Sequence, residues 1–109
     1  MPLDDTNYRV ADETLDEVGR VLMKAAGIVR ERWCKYGMGT PGGPRCAVGA
    51  IAEVTSYIIT QFEAVSLLAS RVGVDGQNEW DIVMTWNDGE GQTAENVAAV
   101  MEQAARVRA

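Results

Sequence analysis

From residue 14 onward the apolar positions fall at helical spacing. Leu15, Val18, Val21, Leu22, Ala25, Val29 and Trp33 recur every three or four residues, the stripe that a core-facing helix presents. Thr14 and Glu17 read as a capping box ahead of it, with Thr14 as N-cap and Glu17 at N3. Asp16 and Glu17 also put negative charge where the helix dipole favours it. Gly19 and Gly27 lie within this helix, and close approach of a neighbouring helix is the reading for both. Residues 34–44 hold four glycines and two prolines in eleven positions, which no helix continues through.

Pro44 suits the first position of a second helix, where a missing N–H costs nothing. Cys46, Ala50, Val54 and Ile58 then form a row spaced by four, with Ala47 and Ile51 beside it. Across 46–62 the single charge is Glu53. A stretch that is apolar on nearly every face belongs in the middle of a domain. Its β-branched run from Val54 to Thr60 is a poor helix interior, so a break or kink is expected near Ser56 to Gln61. A third helix is expected from Phe62 to Val72, with Phe62, Val65, Leu68, Ala69 and Val72 inward and Gly73 as its stop. Residues 80–86 read as a short helix, with a strand as the competing reading. After a polar loop from Asn87, Thr93 caps the last helix, with Val97, Val100, Met101, Ala104 and Val107 inward and Glu95 and Glu102 outward. Residues 1–12 show no period and read as a tail, and 13–109 as one helical domain. The fold class expected is all-α, a compact bundle of four to five helices around a central apolar helix.

Composition narrows the function. At 109 residues and 47% hydrophobic content, the chain is long enough to bury one core. Sixteen acids against ten bases leave a net charge of −6, so direct nucleic-acid binding, which wants a basic field, is not expected. No stretch reaches the roughly 20 apolar residues of a membrane span. The amino terminus lacks the basic and apolar regions of a secretory signal. A cytoplasmic protein with two free thiols is expected. The chain has no histidine, which removes the commonest general base and metal ligand together. Two cysteines make a poor zinc site. A calcium loop beginning at Asp75 fails because Trp80 and Trp86 stand where glycine and glutamate are required. No cofactor and no metal are expected.

Cys46 is the leading reactive candidate. With Pro44 at the first helical position it would sit in the first turn beside Arg45, and dipole and positive neighbour would both lower a thiol pKa. Against that, it heads an apolar row and has no histidine to take its proton, so a buried structural cysteine is the favoured reading. A bond between Cys34 and Cys46 is feasible on chain flexibility alone. Trp33 and Trp80 lie beside loops, as lids on the core or as anchors for a partner, and the loop with Tyr36 and Met38 adds to the second picture.

Cys46-Ala-Val-Gly49-Ala, then Trp86-Asn87-Asp88, then Thr93 with its Val-rich helix, form an ordered set. The set resembles a family of small uncharacterised proteins from actinobacteria and their phages, over roughly residues 14–107. The resemblance implies such an origin and no defined activity. It singles out Cys46, Gly49, Trp86, Asn87 and Asp88 as a stabilised corner, with Gly49 permitting close helix contact, Asn87 or Asp88 bonding backbone N–H groups in the turn before Thr93, and Cys46 touching Trp86. The function expected is a protein–protein interaction module, a phage factor acting on a host protein, with a protein partner and an oligomer left open. The alternative is an enzyme or small-ligand domain using the corner of Cys46, Trp86, Asn87 and Asp88.

Overall fold

The first helix begins two residues later than a capping box at Thr14 requires. The computed structural model describes residues 15–108, so Thr14 and the tail expected over 1–12 lie outside the described residues. Helix α1 runs Glu17–Arg32 with Asp16 as its N-cap, and Asp16 Oδ1 accepts from Gly19 N at 2.8 Å. Glu17 is therefore the first helical residue rather than the third. The inward stripe is as expected, with Val18, Val21, Leu22, Ala25, Ala26 and Val29 buried. A Cβ on Gly19 would first meet Leu15 and Asp16, at 3.1–3.3 Å, and one on Gly27 would meet nothing within 4 Å, so no other helix approaches α1 at Gly27.

Helix α2 runs Ala47–Val54 and starts three residues after Pro44. The cause is a parallel bridge between Trp33 and Arg45, built from Arg45 N donating to Arg32 O at 2.8 Å and Cys34 N donating to Arg45 O at 3.2 Å. These bonds keep residue 45 extended, so helical geometry is delayed and Cys46 becomes the N-cap. Ala47 to Ile51 are five consecutive buried residues, and α2 packs on α1 and on the two helices α3, Ile58–Val72, and α4, Glu79–Asn87. The central apolar helix exists, but it is two turns long.

The break falls at Thr55 to Tyr57. Thr55 is extended, its Oγ1 accepts from Tyr57 N at 3.2 Å, and its carbonyl accepts from Gln61 Nε2 at 2.6 Å. α3 thus begins at Ile58, four residues before the expected Phe62. Val65, Leu68 and Ala69 are buried with Ala64, but Phe62 is exposed. Gly73 ends α3 in the left-handed region, at φ 68°. α4 is the short helix expected across Trp80 and Trp86.

The last helix, α5, runs Ala94–Arg108. Thr93 Oγ1 accepts from Asn96 N at 3.1 Å, the cap expected. Val97, Ala98, Met101, Ala104 and Ala105 are buried, whereas Val107 is exposed at the helix end. α5 makes its most extensive contact with α1, so the two ends of the described chain lie side by side. The result is all-α, five helices among the described residues. The radius of gyration of 13.5 Å is close to the roughly 13 Å expected for a compact domain of this length.

Candidate functional site

Asn87 is the last residue of α4 and is fully buried. Its Oδ1 accepts from Trp33 Nε1 at 2.8 Å and from Ala47 N at 3.0 Å. Its Nδ2 donates to Cys34 O at 3.1 Å and to Asp88 Oδ1 at 3.0 Å. In a parallel ladder continuing past the Trp33–Arg45 bridge, Ala47 N would donate directly to Cys34 O. The Asn87 amide takes the place of that rung and acts as an inserted peptide group between the segments. One side chain thereby satisfies buried backbone groups of the loop and of the α2 N-terminus, and fixes α4 to both. Burying those groups unpaired would be costly.

Asp88 extends the same contact. Its Oδ1 accepts from Tyr36 N at 2.9 Å, and Lys35 Nζ donates to Gly89 O at 2.8 Å. Tyr36 has φ 64°, an uncommon conformation for a non-glycine residue, and its side chain is 80% exposed. Asn87 and Asp88 do bond backbone N–H groups, but those of residues 47 and 36, not those of the turn before Thr93.

Cys46 lies at the end of this network and is fully buried. Its Sγ accepts from Gly49 N at 3.4 Å and sits 3.8 Å from Met84 Sδ. Burial pushes the thiol pKa up, against the smaller lowering effect of the Gly49 amide, so the dipole argument for a thiolate loses to desolvation. Gly49 is required for a loop rather than a helix. A Cβ there would lie 2.2 Å from Met38 O. Trp86 is half-buried against the core cluster that contains Cys46, and it also lines a surface cavity of about 480 Å³ with Val74, Thr85, Gly89, Glu90 and Gln92. The structure therefore joins Cys46, Asn87 and Asp88, and adds Trp33, Cys34 and Met84, while Trp86 packs against the same core and borders the surface cavity.

A second polar cluster braces the loop. Glu53 of α2 accepts from Arg32 Nη2 at 2.9 Å and pairs with Arg45 Nε at 3.1 Å. Its pKa is lowered, first by the Arg32 hydrogen bond. Arg45 is itself buried, and its Nη1 donates to Met38 O at 3.2 Å. Among the described residues no group of three or more potential ligands is placed to hold a metal ion, and no helix is long and apolar enough to cross a membrane.

The other candidate surface was not anticipated. At the start of α3, Tyr57, Ile58, Ile59 and Phe62 are 71, 65, 71 and 57% exposed. Phe62 meets Trp80 edge-on, with ring centroids 5.4 Å apart. Of the four predicted partner contacts, Trp80 borders this ledge. Trp33 is half-buried and tied to Asn87, while Tyr36 and Met38 lie on the glycine-rich loop. The periodicity of α3 gave no warning, because Ile58 shares a face with Val65 and differs only in lying beyond the end of the core. The N-cap Tyr57 makes no side-chain cap bond.

A family model described as a family of unknown function, DUF6197, matches residues 13–107. The chain belongs to this family. The match spans every described helix up to the last turn, so the Asn87 corner and the α3 ledge both lie within the DUF6197 region. Searches of curated proteins and of solved structures returned no match.

Proposed function

We propose that this DUF6197 chain is a helical protein–protein interaction module that docks through the start of α3. The carrying observation is the ledge itself: four large apolar side chains at 57, 58, 59 and 62 that face solvent together. Contiguous exposed apolar patches mark interaction sites more often than isolated apolar residues do. The ledge is a ridge, with Ile58 and Phe62 four residues apart on a helix. Ridges of that spacing insert into an apolar groove on a partner. Exposed Glu63 follows Phe62, and exposed Glu79 and Asp81 flank Trp80. The partner is therefore a protein whose apolar groove carries basic residues at its rim. A phage factor acting on a host protein is one setting for such a module.

The test compares the wild type with the double variant Ile58→Asp, Ile59→Asp and with Tyr36→Ala as bait in an actinobacterial lysate, after circular dichroism shows equal helicity. A stoichiometric partner held by the wild type and by Tyr36→Ala, but lost by the double variant, supports the reading. A partner retained by the double variant overturns it. A concentration-dependent dimer that the double variant abolishes would instead make a second copy the occupant.

A further inference from the structure

We propose that Cys34 and Cys46 form a reversible dithiol–disulfide pair, in which Cys34 is the entry point for a small-molecule disulfide and Cys46 is the buried resolving thiol. The argument is one of register. Trp33 and Arg45 are bridged in parallel, and the bonds from Arg45 N to Arg32 O and from Cys34 N to Arg45 O fix that register on both sides. One step further along, Cys34 stands beside Cys46. Neighbouring strands lie about 4.8 Å apart, inside the roughly 4.4–6.8 Å Cα window of disulfides. In-register neighbours also project to the same face. The Asn87 amide spreads the two segments only beyond this pair, at Cys34 O and Ala47 N.

Both thiols are free, and each is turned to a local partner. Cys34 Sγ lies 3.7 Å from Gly37 O, and Cys46 Sγ accepts from Gly49 N. Rotation about each Cα–Cβ bond is the movement needed to join them. Access is unequal, because Cys34 is partly exposed and Cys46 is fully buried. A reagent in solution therefore meets Cys34 first.

The chemistry closes with a small disulfide, R–S–S–R, as oxidant. The Cys34 thiolate attacks one sulfur, the S–S bond of the reagent breaks, one RS⁻ leaves, and the other RS stays on Cys34 Sγ as a mixed disulfide. The Cys46 thiolate then attacks Cys34 Sγ and expels the second RS⁻. The two cysteine protons go to the two released thiolates, so two protein thiols are oxidised and one R–S–S–R is reduced to two RSH. The product withdraws Cys46 Sγ from Gly49 N and so removes the α2 cap.

The native full-length chain is incubated with oxidised glutathione and read by intact mass and peptide mapping. The wild type should lose two hydrogens, carry a cross-link between the peptides of Cys34 and Cys46, and return to the starting mass with dithiothreitol. Cys46→Ser should stop at a single glutathione adduct on Cys34. Cys34→Ser should be modified at least about tenfold more slowly than Cys46→Ser while folded. A wild type that accumulates the glutathione adduct, or stays unmodified while the unfolded chain is oxidised, overturns the proposal. The cross-link map of the wild type decides the matter even where a serine variant fails to fold.

Discussion

Asn87 ties together three separate segments of the fold. Its amide meets four partners, three of them on segments some 40 to 54 residues distant. Asn87→Leu keeps the branching at Cγ, in a somewhat larger side chain, and removes all four bonds. It leaves Ala47 N, Cys34 O and Trp33 Nε1 without partners, at about 1–3 kcal/mol for each group that stays dry. A loss of about 3–5 kcal/mol in urea unfolding is expected, and a loss below about 1 kcal/mol would show that water replaces the amide. Gly49→Ala is the second test at this scale. Its Cβ would lie 2.2 Å from Met38 O, a backbone atom, so the loop must move, and destabilisation of about 1–3 kcal/mol is expected by the same measurement. Residue identity was legible in the sequence here, since both positions stand in the motifs. Their partners were not legible: Asn87 reaches across some 50 residues, and Gly49 yields to a loop carbonyl rather than to a helix. Spacing along a chain reports a helix face, but it carries no information about which distant backbone group lies against it.

At the scale of elements, the sequence marked five helical segments and missed the beginnings of the first three. Gly73 and Thr93 act through their own backbone or hydroxyl, and both were readable. The starts of α1, α2 and α3 are set by Asp16, by the Arg45 bridge and by the Thr55 turn. Of those, the Arg45 bridge joins separate segments and forms only in the fold, whereas the Asp16 cap and the Thr55 turn are local. The Glu53 cluster belongs to this scale, because one carboxylate joins α2 to Arg32 at the end of α1 and to Arg45 in the loop. Glu53 has a lowered folded pKa, as does Glu95 beside Arg30. A carboxylate whose folded pKa is depressed contributes stability that is complete above its unfolded pKa and disappears as pH falls through the folded value. Stability should therefore be flat near neutrality and fall through the acid range below the ordinary carboxylate pKa. Glu53→Gln should be less stable at pH 7 and should show a shallower acid limb in melting temperature against pH. An unchanged limb would assign the acid sensitivity to Glu95 and the remaining carboxylates.

At the scale of the whole molecule, α1 and α5 close the chain on itself. Two kinds of interaction cross that contact, and they differ in weight. Arg30 makes a forked pair with Glu95, through Nε at 2.8 Å and Nη2 at 2.9 Å, and also bonds Glu102. The pairing raises the Arg30 pKa, but the guanidinium and Glu95 are well exposed. Exposed pairs of this kind contribute about 0–1 kcal/mol, and salt weakens them. Met101 and Leu22 are fully buried at the core of the fold, where truncation to alanine costs about 2–5 kcal/mol. Arg30→Ala should lower stability by less than about 1 kcal/mol, with an effect that shrinks in 0.5 M salt, a strongly screening concentration. Met101→Ala should lower it several-fold more and be indifferent to salt. Because the closing contact joins sequence-distant ends, its loss should release the whole domain rather than one helix. Trp33, Trp80 and Trp86 report on the corner and on α4 and none lies on α5, so fluorescence and far-ultraviolet circular dichroism sample different parts. In Met101→Ala the two urea transitions should still coincide. Separation, with helicity falling before fluorescence, would mean that α5 detaches from a corner that the Asn87 bonds hold on their own.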